Sequence, residues 1–205
     1  MFLILVGILL CAVILLIYQK LRAVEQQSLY YLAVFTIISC LVLLPFEDPL
    51  QLPGYFAAAL QEKSFFSLFG AMAGLITINI AIYGFAIFYM TMELSTGERF
   101  KGKLLTIKTF KKRRYPTFAS YHLIGSSYFL LMGSPIGLII FTLLMILPNF
   151  EIIRLEKKHL AKFGDSFLAY KKNVPRRIYS KDILCLLLVN YGLILIGITG
   201  IVFFT

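Results

Sequence analysis

Five stretches of this chain are almost free of charge: 2–17, 28–46, 64–92, 117–147 and 183–204. Apolar runs of this length constrain the fold more than any other feature. A bilayer core of roughly 30 Å takes about 20 helical residues to cross. The second, third and last runs meet that length. The first reaches it once Tyr18 and Lys20 extend to the interface. The run 117–147 is interrupted at Gly133-Ser134-Pro135. Proline removes a backbone donor and glycine permits the bend, so this run predicts two shorter helices and a tight turn. A chain that is 60% hydrophobic, with a mean hydropathy of +0.85, fits this reading and not a soluble domain. The expected fold is all-α: one polytopic membrane domain over 1–205. It has about six membrane helices, including a short helical hairpin, and a cytosolic tail. Residues 1–92 supply three transmembrane helices. Residues 93–182 form a cytosolic-side, catalytic-like region with the hairpin at 117–150, and 183–205 form a last transmembrane helix.

Charge sets the orientation. Nineteen of the 20 Lys and Arg lie in 19–27, 93–116 and 150–182; the remaining one, Lys63, shares its loop with Glu47, Asp48 and Glu62. The positive-inside rule then places those three basic segments in the cytosol and both termini on the non-cytosolic side. The first run lacks a basic leader and a small-x-small site, so it reads as a membrane helix and not a cleaved signal. The net charge of +10 is topogenic and faces anionic lipid headgroups. Nucleic-acid binding is not expected. Cys11, Cys40 and Cys185 sit inside apolar runs as small hydrophobes. Two histidines, His122 and His159, without a Cys or carboxylate constellation give no metal site.

Smaller features complete the scaffold. Pro53-Gly54 and Tyr55–Leu60 predict a turn and a short interfacial helix. Gly70-x-x-x-Gly74 is a close-packing pattern in lipid. Asn79 and Asn190 read as interhelical hydrogen-bond donors. Within 150–172, Phe150, Ile153, Leu160, Phe163 and Phe167 fall at helical spacing as an apolar stripe. Pro148-Asn149 marks a kink. Gly164 ends one helix, and Asp165 or Ser166 is placed to cap the next.

Two polar stations flank the hairpin. The first is Arg113-Arg114-Tyr115-Pro116-Thr117-Phe118. Arg114 suits an anionic group of a cofactor or substrate. Pro116 biases Tyr115 toward extended backbone, which presents Tyr115 and Phe118 as aromatic walls for a flat or cationic group. The second station is Glu156 with Lys157, Lys158, His159 and Lys162, then Phe163-Gly164, Tyr170 and Val174-Pro175-Arg176. Its carboxylate reads either as an ion-paired surface group, with Lys157, Lys158, His159 or Lys162 as partner, or as the acceptor of a cofactor amino group.

In order, these stations read basic-aromatic-Pro-x-aromatic, an apolar hairpin, Glu-x(6)-Phe-Gly-x(5)-Tyr, then Val-Pro-Arg. This resembles the isoprenylcysteine carboxyl methyltransferase and phospholipid methyltransferase superfamily over roughly residues 108–177. The family pattern is Gly-x-Tyr-x-x-x-Arg-His-Pro-x-Tyr, a hairpin, Glu-Glu-x-x-Leu, Phe-Gly, and Tyr-x-x-Tyr before Pro-Arg. Here its Gly and Tyr fall on Lys108 and Phe110, its His on Tyr115 and its next Tyr on Phe118. The first Glu falls on Leu155, and the first Tyr of the last pair on Phe167.

The resemblance implies methyl transfer from S-adenosylmethionine, leaving S-adenosylhomocysteine, to a lipophilic acceptor that enters from the bilayer. It implies cofactor contacts from Phe110, Arg114, Tyr115, Pro116, Phe118, Glu156, His159, Phe163 and Tyr170. It gives Arg114, Glu156 and Lys162 the catalytic roles, with Arg114 or Lys162 orienting an acceptor carboxylate. Membrane sterol reductases that use NADPH share much of this pattern. They place an acidic residue where this chain has Tyr121, which favours methyl transfer. A degenerate, non-catalytic member that binds a lipid or a protein partner is the third reading.

Overall fold

The structure is a computed structural model, and its described residues are 2–22, 27–49, 65–96 and 104–204. The expected turn and helix at 53–60, and Lys63 and Glu62, lie outside them. So does the basic segment 97–103. Among the described residues the chain is helical throughout, without strands. The helices are α1 (Phe2–Arg22), α2 (Gln27–Leu43), α3 (Phe65–Thr96), α4 (Pro116–Leu131), α5 (Pro135–Leu144), α6 (Pro148–Phe163), α7 (Asp165–Asn173) and α8 (Lys181–Phe204). Short 3₁₀ turns at Leu44–Glu47 and Lys108–Lys111 follow α2 and precede α4.

Two helical stretches, Met72–Leu94 and Pro135–Phe163, are long and apolar enough to cross a membrane. Phe2–Tyr18 and Ala33–Glu47 are shorter apolar helices. Large apolar side chains face outward on α1, α2, α3, α5 and α8, among them Leu3, Phe35, Tyr89, Leu143 and Leu188. An outer surface this apolar suits lipid better than water. The second stretch is apolar only in its first half. From Glu151 onward α6 carries Arg154, Glu156, Lys157, Lys158 and Lys162, so it leaves the apolar zone.

The break at Gly133-Ser134-Pro135 forms the expected turn. Gly133 adopts φ +67°, which favours glycine. Ser134 caps α5 by accepting from Gly137 N at 3.1 Å. Gly125 lets the two arms touch, because a Cβ there would lie 2.1 Å from the Phe141 ring. At the far end of α5, Pro148 has no N–H to offer Leu144. The carbonyl of Leu144 instead accepts from Leu147 at 3.0 Å, and the helix tightens before α6 begins.

Several expectations need correction. The close approach of α3 to its neighbour occurs at Gly84, where a Cβ would lie 3.0–3.3 Å from Ile124, Leu123 and the Ser120 carbonyl of α4. The surroundings of Gly70 lie outside the described residues. Asn79 bonds within its own helix, to Leu75 O at 2.8 Å, so only Asn190 bridges helices. Neither Asp165 nor Ser166 caps α7. Gly164, at φ +49°, is the shared boundary of α6 and α7, and no side chain caps α7. The apolar stripe of α6 is also rotated. Phe150, Ile153 and Leu160 are exposed, whereas Ile152 and Glu156 are buried. Glu156 is drawn inward by a buried arginine, and Ile152, four residues earlier on the same face, follows it.

Asp48, in the acidic loop after α2, is buried. Its Oδ2 accepts from Ser134 Oγ, from Ile136 N at 3.0 Å and from Gly137 N at 3.3 Å. It thereby anchors the N-terminus of α5, where backbone donors are otherwise unsatisfied. Two cores result. One joins α1, α2, α5 and the end of α4 near the hairpin tip, with Ala73 of α3 and Leu193 and Ile194 of α8. The other joins α3, the start of α4, α6 and α8 at the opposite end, around Tyr115, Ala119, Ile152 and Ile183.

Candidate functional site

The chain before α4 pairs with the chain before α8. Arg114 N donates to Arg176 O at 3.1 Å, and Tyr115 N to Arg177 O at 2.8 Å. This pairing explains why Arg114-Tyr115-Pro116 and Val174-Pro175-Arg176 belong together despite 57 intervening residues. Tyr115 has φ −127°, on the extended side that Pro116 favours, and Pro116 opens α4.

Arg114 is buried at the centre. Its Nη2 donates to Glu156 Oε1 at 2.8 Å, and its Nη1 to Val174 O at 2.6 Å and Pro175 O at 3.2 Å. The guanidinium therefore ties α6 to the chain after α7. Glu156 takes two more cations: Lys171 Nζ on Oε2 at 3.1 Å and Arg177 Nε beside Oε1 at 3.5 Å. Burial pushes its carboxyl up. Hydrogen bonds from Lys171 and Arg114, with the charges of Arg114 and Arg177, outweigh that and hold it below the ordinary carboxylate range. The partners expected from sequence, Lys157, Lys158, His159 and Lys162, are not the ones found. Lys157 and Lys158, one and two positions away on the helix, point elsewhere, and the partners found lie on other elements.

Beside this ion cluster is a cavity of about 110 Å³. Phe110, Arg114, Tyr115, His159, Phe163 and Tyr170, all singled out from the sequence, line it. Leu104, Leu105 and Phe167 complete the wall. Most of the wall is aromatic. The Tyr115 and His159 rings are parallel within 3°, with centroids 6.3 Å apart. Phe163 and Phe167 tilt against His159 at 6.0 and 5.5 Å. Tyr170 OH donates to Phe110 O at 2.8 Å and fastens α7 to the 3₁₀ turn. The Tyr170 hydroxyl is pushed up to about 12 by burial, and Tyr115 is raised by burial and by Glu156. Burial and Lys162 lower His159 below the ordinary imidazole value, which Glu156 partly offsets. Neutral aromatic faces attract a cation. Tyr115 OH and Arg114 Nε are buried beside the cavity without a protein partner. Buried donors of this kind are uncommon and call for an acceptor.

The remaining expected residues lie off the wall. Glu156 stands behind Arg114. Pro116 is in the first turn of α4. Phe118 packs into the adjoining core and edge-on to Tyr121 at 6.4 Å. Lys162 is exposed, with Nζ 5.2 Å from the Phe163 ring. Phe167 was the main omission from the expected set, although the family pattern has an aromatic at that position.

A second polar cluster runs between α4, α5 and α8. His122 contacts Tyr179 OH through Nδ1 at 2.9 Å and Tyr191 OH through Nε2 at 2.8 Å. Tyr191 OH also meets Thr142 Oγ1, which donates to Leu138 O at 2.7 Å. The donors follow in sequence from that end. Thr142 gives its proton to Leu138, so Tyr191 donates to Thr142, His122 Nε2–H donates to Tyr191, and Tyr179 donates to Nδ1. One turn further along α4, Ser126 and Ser127 accept from Asn190 Nδ2 at 3.1 and 3.0 Å.

No family model, curated protein or solved structure matches this chain.

Proposed function

We propose that this protein is a membrane methyltransferase that uses S-adenosylmethionine, with the adenosyl or sulfonium part of the cofactor in the aromatic cavity. The observation that carries the reading is convergence. Phe110, Arg114, Tyr115, His159, Phe163 and Tyr170 come from the 3₁₀ turn, the segment before α4, α6 and α7, yet border one cavity. A second observation supports it. Lys108, at the family's glycine position, has φ +48°, the one positive φ of a non-glycine among the described residues. The backbone shape that glycine would serve is kept although glycine is absent.

The cavity is small beside the roughly 300–1,000 Å³ of ordinary ligand pockets, so it takes one part of the cofactor. In the proposed reaction an acceptor nucleophile displaces the methyl group from sulfur. The S–CH₃ bond breaks, the acceptor–CH₃ bond forms, and a neutral thioether leaves. A carboxylate acceptor needs no proton transfer, so alignment and desolvation carry the rate. Aromatic faces stabilise the positive sulfur. The acceptor reaches the site from the bilayer.

The proposed topology has six membrane segments, with both termini on the non-cytosolic side. Asp48 supports it: the loop after α2 binds the hairpin tip, as alternation requires. Lys112, Arg113 and Asp182 lie with the cavity's ion cluster at the opposite end of α4.

Calorimetry on the detergent-purified chain tests the activity class. Saturable binding of S-adenosylhomocysteine, weakened by His159→Leu, is expected. Binding of NADPH alone would move the protein to the reductase class, and binding of neither by folded protein would favour a non-catalytic member.

A further inference from the structure

The two oxygens of Glu156 are held differently. Oε1 faces Arg114, whose side chain is 3% exposed and fixed by two further bonds to carbonyls. Oε2 is held by Lys171 alone, whose side chain is 44% exposed. Arg177 is 46% exposed and approaches Oε1 only at 3.5 Å. One carboxylate thus faces three cations, leaving a surplus of two positive charges. Arg114 cannot withdraw without leaving a buried charge unpaired. Lys171 and Arg177 can swing into water, because their side chains are already nearly half exposed. The cluster adjoins the aromatic cavity: Arg114 belongs to both, and Lys171 follows Tyr170 of the cavity wall.

We propose that Lys171 is a resident stand-in for the α-ammonium of a ligand with an amino-acid end, and that Arg177 receives that ligand's α-carboxylate. The inference rests on the adenosyl-cofactor reading: the cavity takes the adenosyl or sulfonium part, and the ion cluster takes the methionine end. The exchange balances charge. A ligand ammonium replaces the lysine ammonium on Oε2, cation for cation, so Glu156 is never left bare. The surplus positive charge meets the ligand carboxylate. No covalent bond changes. Lys171 therefore competes with the ligand and sets its affinity, while the exchange selects ligands carrying a zwitterionic end over those without one.

The test is calorimetry on the full chain in detergent, comparing wild type, Lys171→Met and Arg177→Met. The two ligands are S-adenosylhomocysteine and 5′-deoxy-5′-methylthioadenosine, which lacks the amino-acid end. Lys171→Met is expected to tighten S-adenosylhomocysteine by about three- to five-fold, the size of an exposed ion pair. Arg177→Met is expected to weaken it by a similar factor. Neither variant should shift the truncated ligand. A general structural change would shift both ligands together and would overturn the proposal. So would a Lys171→Met protein that binds S-adenosylhomocysteine no more tightly than wild type. If wild type binds and only the Lys171 effect fails, the exchange is wrong and the cofactor reading stands. If neither protein binds either ligand, both are wrong.

Discussion

The two polar clusters differ in how completely they are satisfied. Around His122, both ring nitrogens, both tyrosine hydroxyls and Thr142 are partnered, and the chain of donors ends on a backbone carbonyl. Around Arg114, one carboxylate faces three cations, and Tyr115 OH and Arg114 Nε are buried without partners. The first, the His122 network, is closed, although Oδ1 of the neighbouring Asn190 is buried without a partner, and it acts as glue between helices in an apolar surround. The second has charge and donors left over next to a cavity. The proposed ligand site rests on that surplus, and by the same measure His122 belongs to the scaffold.

The contrast is open to attack by substitution. The largest effect is expected from Arg114→Ala. It strands Glu156 in a buried position and releases the Val174 and Pro175 carbonyls, so it should destabilise by about 3–5 kcal/mol in detergent unfolding. His122→Phe should lower stability by about 1–2 kcal/mol and leave S-adenosylhomocysteine affinity unchanged. A loss of binding there would dissolve the division between scaffold and site.

A pH series sharpens the same contrast. The carboxyl of Glu156 is held below its ordinary value of 4.5. A depressed carboxylate contributes stability that is present above its unfolded pKa and lost as pH falls through the folded one. The stability difference between wild type and Glu156→Gln should therefore be constant from pH 7 to about 5 and shrink only below about 4.5. A difference that shrinks near pH 6 would mean that Glu156 is not the paired group. The smallest effect is expected at Lys108, whose φ of +48° strains a side-chain-bearing residue. Lys108→Gly should raise stability by about 1 kcal/mol, read as a shift in melting temperature.

Backbone punctuation was legible in the sequence. Gly133-Ser134-Pro135 and Gly164 act locally, through φ and missing donors, and both turns lie where those residues place them. Aromatic residues at 110, 115, 159, 163 and 170 could be singled out because a known pattern orders them. The pairing of Glu156 was not legible. Lys171 and Arg177 are two of many cations, and only the path of the chain through Val174–Arg177 decides between them. The same holds for the face that α6 buries, which a single ion pair rotates away from the apolar stripe. Asp48 and His122 were hidden for the same reason. Their partners lie 86–89 and 57–69 residues away, with no local signal.

The central claim is that the aromatic cavity beside Arg114 holds S-adenosylmethionine. Ultraviolet cross-linking with the methyl-tritiated cofactor, followed by peptide mapping, tests it most directly. The account predicts saturable labelling of peptides containing Tyr115 or residues 159–170, suppressed by S-adenosylhomocysteine. No saturable labelling of the folded protein, or label confined to α1, α2 or α8, would contradict it.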